Sequence, residues 1–174
     1  MNTKPKTRLS KAEQRVAVAK DALKQLQYEK YTATKGVYIG HELETRVCKW
    51  VDGYDDAELS NAKEQLQPLL IKDKGLCKVC AKGALFLSAV RKFNKATVGD
   101  MSDENFKVAE NIFGSTNFDL IEAAFEKWDY LRGNSTWNIP SLDAEAFGHK
   151  YDNDHDRLVA ILKNIIKNNG TFKP

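Results

Sequence analysis

Two cysteines two residues apart, Cys77 and Cys80, open the stretch "GLCKVCAKGALFLSAVRKFN", and four kinds of chemistry could use them. The first is a zinc knuckle. The Cys77–Cys80 gap suits one, and His149 with His155, five residues between them, would complete a two-cysteine, two-histidine set if the long intervening chain folded back over the pair. The second is a redox pair, in which a helix N-terminus and Lys78 would lower a thiol pKa. That use calls for a preceding strand in a βαβ unit, and "LLIKDKGL" makes a poor one. The third is nucleophilic catalysis by Cys77 or Cys80, with His149 or His41 as base and Asp152 or Asn138 to orient it. The fourth is anion binding. Free N–H groups of a helix beginning near Cys77, Gly83 one turn in, and Lys74, Lys78 and Lys82 around the opening would suit a phosphate or nucleotide, with Arg91 further along the same basic stretch. Against all four stands packing, since cysteine is among the most buried residue types for apolar reasons alone.

The charge pattern gives the anion reading its context. The net charge is only +3, but residues 72–95 hold seven basic side chains (Lys72, Lys74, Lys78, Lys82, Arg91, Lys92, Lys95) and one acid, Asp73. Residues 100–156 hold thirteen acids against four bases. Either the two blocks face each other in the fold or the basic one meets an anionic partner. Nucleic acid is not expected, because aromatic residues are not interleaved with the basic block as a single-strand platform requires. No phosphate loop or dinucleotide fingerprint is present.

These side chains have to be positioned by one domain. A chain of 174 residues suits a single hydrophobic core, and 42% hydrophobic with 29% charged residues is the composition of a folded protein. No run approaches the roughly 20 apolar residues that cross a bilayer, so no membrane association is expected. "MNTKPKTRLS" runs into "KAEQRVAVAK" without the apolar segment of a signal peptide, which makes the cytoplasm the expected location. Three cysteines there, Cys48, Cys77 and Cys80, should be thiols.

The spacing predicts an all-α fold: a single globular domain over 1–174 of about six helices around a central buried helix, residues 77–93, with 1–9 flexible. Ser10 and Glu13 form a capping box for a helix over 11–28 whose Val16, Ala19, Leu23 and Leu26 share a face. A helical piece is expected over 42–51. Asp55 with Glu58 starts another helix, which Pro68 should kink or end. From Cys77 to Phe93 apolar residues cover nearly the whole circumference, as in a helix buried on most sides. Gly83 inside it costs about 1 kcal/mol against alanine, which implies a packing or ligand reason for it. Ser102 or Asp103 should cap a helix ending at Phe113, and Asn117 one that presents Ile121, Ala124 and Phe125. Residues 133–153 read as a long loop. The last helix, from Asp154, carries Leu158, Ile161, Leu162 and Ile165, stops at "NNG", and should pack on the central helix.

"CKVCAKGALFLSAVRKFN", with "FDLIEAAFEKW" and "YDNDHDRLVAILKNIIKNNGTF", resembles a family of small, uncharacterised bacteriophage and bacterial proteins. Their recurring feature is a Cys-Ala-x-Gly-Ala-Leu core, here Cys80, Ala81, Gly83, Ala84 and Leu85. The resemblance implies a phage-type accessory protein, possessing no family-wide activity from which a catalytic residue could be carried over. It would act in the host cytoplasm, in an anti-defence role, by engaging a host protein or sequestering an anionic, nucleotide-like ligand. No cofactor is expected, with zinc as the alternative, and a homo-oligomer is open. A cysteine-dependent hydrolase using Cys77 or Cys80 is the alternative function.

Overall fold

A computed structural model describes residues 9–41, 65–72, 77–93, 107–127 and 140–174. Cys48, Lys74, the helical piece over 42–51, the helix start at Asp55 and the caps at Ser102 or Asp103 lie outside these residues. Within them the domain is mostly helical, with seven helices around one core.

Helix α1 (Lys11–Gln27) begins where its capping box requires: the Ser10 side chain accepts from the Glu13 N–H, and the Glu13 carboxylate accepts from the Ser10 N–H at 2.8 Å. It turns Val18, Ala19, Ala22 and Leu26 into the core. After a short turn the chain enters β1 (Tyr31–Ala33), and then β2 (Ile39–His41). Helix α2 (Leu66–Lys72) holds Pro68 in its first turn. Pro68 therefore helps to open this helix and does not end it, as suits a residue with fixed φ and no N–H to lose there.

The segment expected to begin the central helix is divided. Cys77–Val79 is a strand, β3, and helix α3 runs from Ala81 to Phe93. Cys77 and Val79 are buried while Lys78 between them is half-buried, which is the two-residue alternation of a strand. A short apolar run does not distinguish a strand from the start of a buried helix by pattern alone. β3 is the middle strand of a three-stranded sheet, parallel to β1 with Tyr31 opposite Cys77, and antiparallel to β2 with Ile39 opposite Val79.

Helix α3 is the buried axis of the domain: Ala84 to Val90 are all inaccessible or nearly so. α1, α2, α4 (Lys107–Phe113) and α5 (Ser115–Glu126) pack around it. α5 starts at Ser115 after Gly114, two residues before Asn117. The expected loop over 133–153 is contradicted by helix α6 (Pro140–Gly148), which lies closely along α5: a Cβ on Gly148 would stand 2.0 Å from the Ala124 carbonyl oxygen. Helix α7 (Asp154–Lys167) is capped by Asn153 and buries Leu158, Ile161, Leu162 and Ile165. It packs chiefly along α1 and also against α5, where the central helix was the expected partner. α3 is instead covered by α1, α2, α4 and α5, with β3 leading into it.

Among the described residues, no helix is long and apolar enough to cross a membrane.

Candidate functional site

Cys80 sits between β3 and α3 and does the work of a helix cap. Its N–H donates to the Val37 carbonyl at 2.6 Å, its carbonyl accepts from the Ala84 N–H at 2.9 Å, and its Sγ accepts from the Gly83 N–H at 3.4 Å. The residue is 2% exposed. Burial pushes its thiol up to about 12; the Gly83 N–H works against the rise, and the carboxylates of Glu126 and Glu122 add to it. At neutral pH it is a thiol, and neither nucleophilic attack nor redox exchange proceeds from that form. Cys77 is buried on β3, and neither it nor Cys80 forms a disulfide among the described residues.

His149 and His155 are exposed. Among the described residues no three histidine, cysteine or acidic side chains converge as a metal-ligating group, so Cys77, Cys80, His149 and His155 are not brought together as a four-ligand zinc set. The side chain of His41 lies outside the described residues.

The start of α3 is covered. A Cβ at Gly83 would stand 1.7 Å from the Tyr38 carbonyl oxygen and 3.3 Å from the Ile39 side chain, so glycine is there to let the segment ahead of β2 cross the helix. That is the packing reason its position implied. The crossing segment is fastened on its other side by acids: the Tyr38 hydroxyl donates to Glu122 Oε1 at 2.9 Å, the Gly36 N–H to Glu126 Oε2 at 2.9 Å, and the Lys35 N–H to Asp154 Oδ2 at 2.7 Å. Lys82, one of the expected ligand residues, joins the same seam. Its Nζ pairs with Glu122 and with Asp119 Oδ1 at 3.2 Å, and lies 5.0 Å from the Phe118 ring centre. Burial opposes its charge, but the two carboxylates outweigh burial and hold the ammonium above its usual range. Here the basic and acidic blocks of the sequence face each other. Lys78 is half-buried on the central strand.

Arg91 leads elsewhere. In the last turn of α3, its Nε lies 3.3 Å from Asp21 Oδ2 and its Nη1 donates to the Leu70 carbonyl at 3.4 Å, while Lys92 Nζ lies 3.5 Å from Asp21 Oδ1. These groups line a pocket of about 450 Å3 between the C-terminal ends of α1 and α3. Lys24 from α1 and Lys30 from the turn after it line the same pocket, where Asp21 is the one carboxylate among the described lining residues. Helix ends explain the gathering, because basic side chains are favoured in last turns. Tyr28, Ile71 and the amide-bearing Gln25 complete the walls.

A second, shallower groove of about 570 Å3 runs along the outer face of α7, where Tyr151, Val159, Ala160, Lys163 and Lys167 contribute. It has two lysines and Asp156 for charge.

Asp21, Lys24 and Lys30 are functional candidates that sequence reasoning missed. Lys24 shows the usual basic bias of a last helical turn, Asp21 and Lys30 carry no comparable signal, and none of the three hints at a pocket shared with residues more than sixty positions away.

No protein-family model matches the chain, and no curated protein or solved structure matches it.

Proposed function

We propose that this protein binds an anionic small molecule in the pocket between α1 and α3, and that it is a binding protein and not a cysteine enzyme. One observation carries the reading: Lys24, Arg91 and Lys92 line a single concave site in which, among the described residues, Asp21 is the one carboxylate. Like charges gathered in a cavity with low-dielectric walls repel one another and focus their field, and an anion relieves the repulsion. A cysteine mechanism lacks comparable support, since Cys80 is buried, protonated and occupied in capping α3. In the phage-type accessory role that the resemblance implies, this is the sequestering variant, with the cytoplasm as the place where the ligand would be met.

Titration with inorganic pyrophosphate, followed by amide chemical shifts at low salt, tests it. Saturable shifts should centre on Lys24, Lys30, Arg91 and Lys92 and weaken as salt is added. Replacing both Lys24 and Lys92 by alanine should weaken binding at least about tenfold with the melting temperature unchanged, because both side chains are exposed. Absence of saturable shifts at these residues would overturn the reading.

A further inference from the structure

The α1–α3 pocket also has an apolar side. Resting on the anion-binding reading above, we infer that the ligand is an aromatic anion: an anionic group joined to a flat ring, with the ring lying against Tyr28 and Ile71.

Single exposed hydrophobic side chains are ordinary on a protein surface and need no partner. Two gathered at one concave site are different. Five large hydrophobic side chains are prominently exposed among the described residues, and the two most exposed of them, Tyr28 at 64% and Ile71 at 62%, line this one pocket. They come from separate elements, Tyr28 from the C-cap of α1 and Ile71 from the last turn of α2. α2 buries Leu66 and Leu70, one turn apart, which leaves Ile71 on its outer side. The core therefore gives no reason for either side chain to be apolar.

Both are held next to a cation. Lys24 Nζ lies 5.5 Å from the Tyr28 ring centre, the two residues being one helical turn apart. Arg91 Nη1 donates to the Leu70 carbonyl at 3.4 Å, and Gln67 Nε2 donates to the Arg91 carbonyl at 2.7 Å. These bonds tie the end of α2 that carries Ile71 to the last turn of α3. An anion seated on Lys24 and Arg91 thus has apolar surface beside it on both sides. An inorganic anion leaves that surface in water. A ring bonded to the anion removes it from water, and against Tyr28 it gains the geometry-dependent attraction of an aromatic pair as well. The pocket volume of about 450 Å3 falls in the range of small-molecule sites.

Phenyl, cyclohexyl and methyl phosphate carry one anionic group on three different bodies, so calorimetric titration of the full chain with each at low salt reads the body's contribution. Phenyl phosphate should bind about tenfold more tightly than methyl phosphate, with cyclohexyl phosphate between them. Tyr28→Ser and Ile71→Ser should each bring the phenyl-to-methyl ratio towards one, and both variants should fold, which a circular dichroism melt checks, because both side chains are exposed. Equal affinity for phenyl and methyl phosphate, or a tenfold ratio that persists in both variants, would overturn the aromatic assignment, while saturable pyrophosphate shifts would keep the anion reading intact. Cyclohexyl phosphate binding as tightly as phenyl phosphate would overturn the flat ring. Failure of both phenyl phosphate and pyrophosphate to bind would remove both readings.

Discussion

Gly83→Ala places a methyl group 1.7 Å from the Tyr38 carbonyl oxygen and 2.8 Å from its carbon. An ordinary carbon–oxygen contact needs roughly 3.3 Å, so the crossing backbone must retreat by about 1.6 Å. It cannot move alone. Two residues on one side of Tyr38, the Gly36 N–H is tied to Glu126; next to it, Val37 accepts from the Cys80 N–H at 2.6 Å; and Ile39 on the other side pairs with Val79. A shift of that size stretches at least the Val37–Cys80 bond beyond hydrogen-bonding range, at about 1–3 kcal/mol for buried groups left unpaired. Overpacking adds about 1–3 kcal/mol. Alanine returns about 1 kcal/mol through its helix propensity. The net expectation is a loss of about 3 kcal/mol, or about 6–12 °C in Tm for a chain of this size, read by thermal melting with circular dichroism. Intrinsic propensity alone predicts the opposite sign, so a variant that melts at or above the parent would refute the close approach. A variant with unchanged melting and weakened anion binding would return Gly83 to the ligand site.

Lys82→Glu should destabilise the fold by about 3 kcal/mol, because it leaves Glu122 without its cation and adds a third carboxylate to a side-chain site only 13% exposed; unchanged melting would show that the Lys82 pairings carry no stability. Glu126→Gln tests the other acid of the seam. Burial, with Glu122 and Asp154 nearby, raises the Glu126 pKa despite the Gly36 N–H, so the folded state binds the proton more readily than the unfolded one. Wild-type stability therefore falls as pH rises from the unfolded value through the raised folded one. The variant, which keeps an oxygen for the Gly36 N–H, should be more stable than wild type at pH 7 and lose the advantage below about pH 4; a constant difference at both pH values would reject the linkage. Iodoacetamide at neutral pH should label Cys77 and Cys80 at least about a hundredfold faster in urea-unfolded than in folded protein, since burial withholds both and Cys80 is held as a thiol. Fast labelling of the folded chain would reinstate the cysteine enzyme.

Local signals placed much of the helical framework. Ser10 with Glu13, and Asn153 ahead of the α7 periodicity, act within one turn, so the start of α1 and the span of α7 follow from neighbouring residues alone. The same locality explains the misses. "CKV" has too few residues for its alternation to be told from a buried helix, and it is a strand because β1 and β2 flank it. Pro140 at the head of "PSLDAEAFG" was an available start signal for α6, obscured by the glycine, asparagine and serine before it. Lys82 and Arg91 belong to one basic block and one helix, yet Lys82 is neutralised by α5 and Arg91 opens onto a pocket shared with α1. By itself, the sequence determined a mostly helical domain built on a buried Gly83-bearing helix, since capping and apolar spacing act between near neighbours. Which cations pair with internal carboxylates, which line a cavity, and that Cys80 is buried and caps a helix, only the tertiary structure decided. Charge and burial depend on distances across the fold, and those are set by how helices far apart in the chain come to pack.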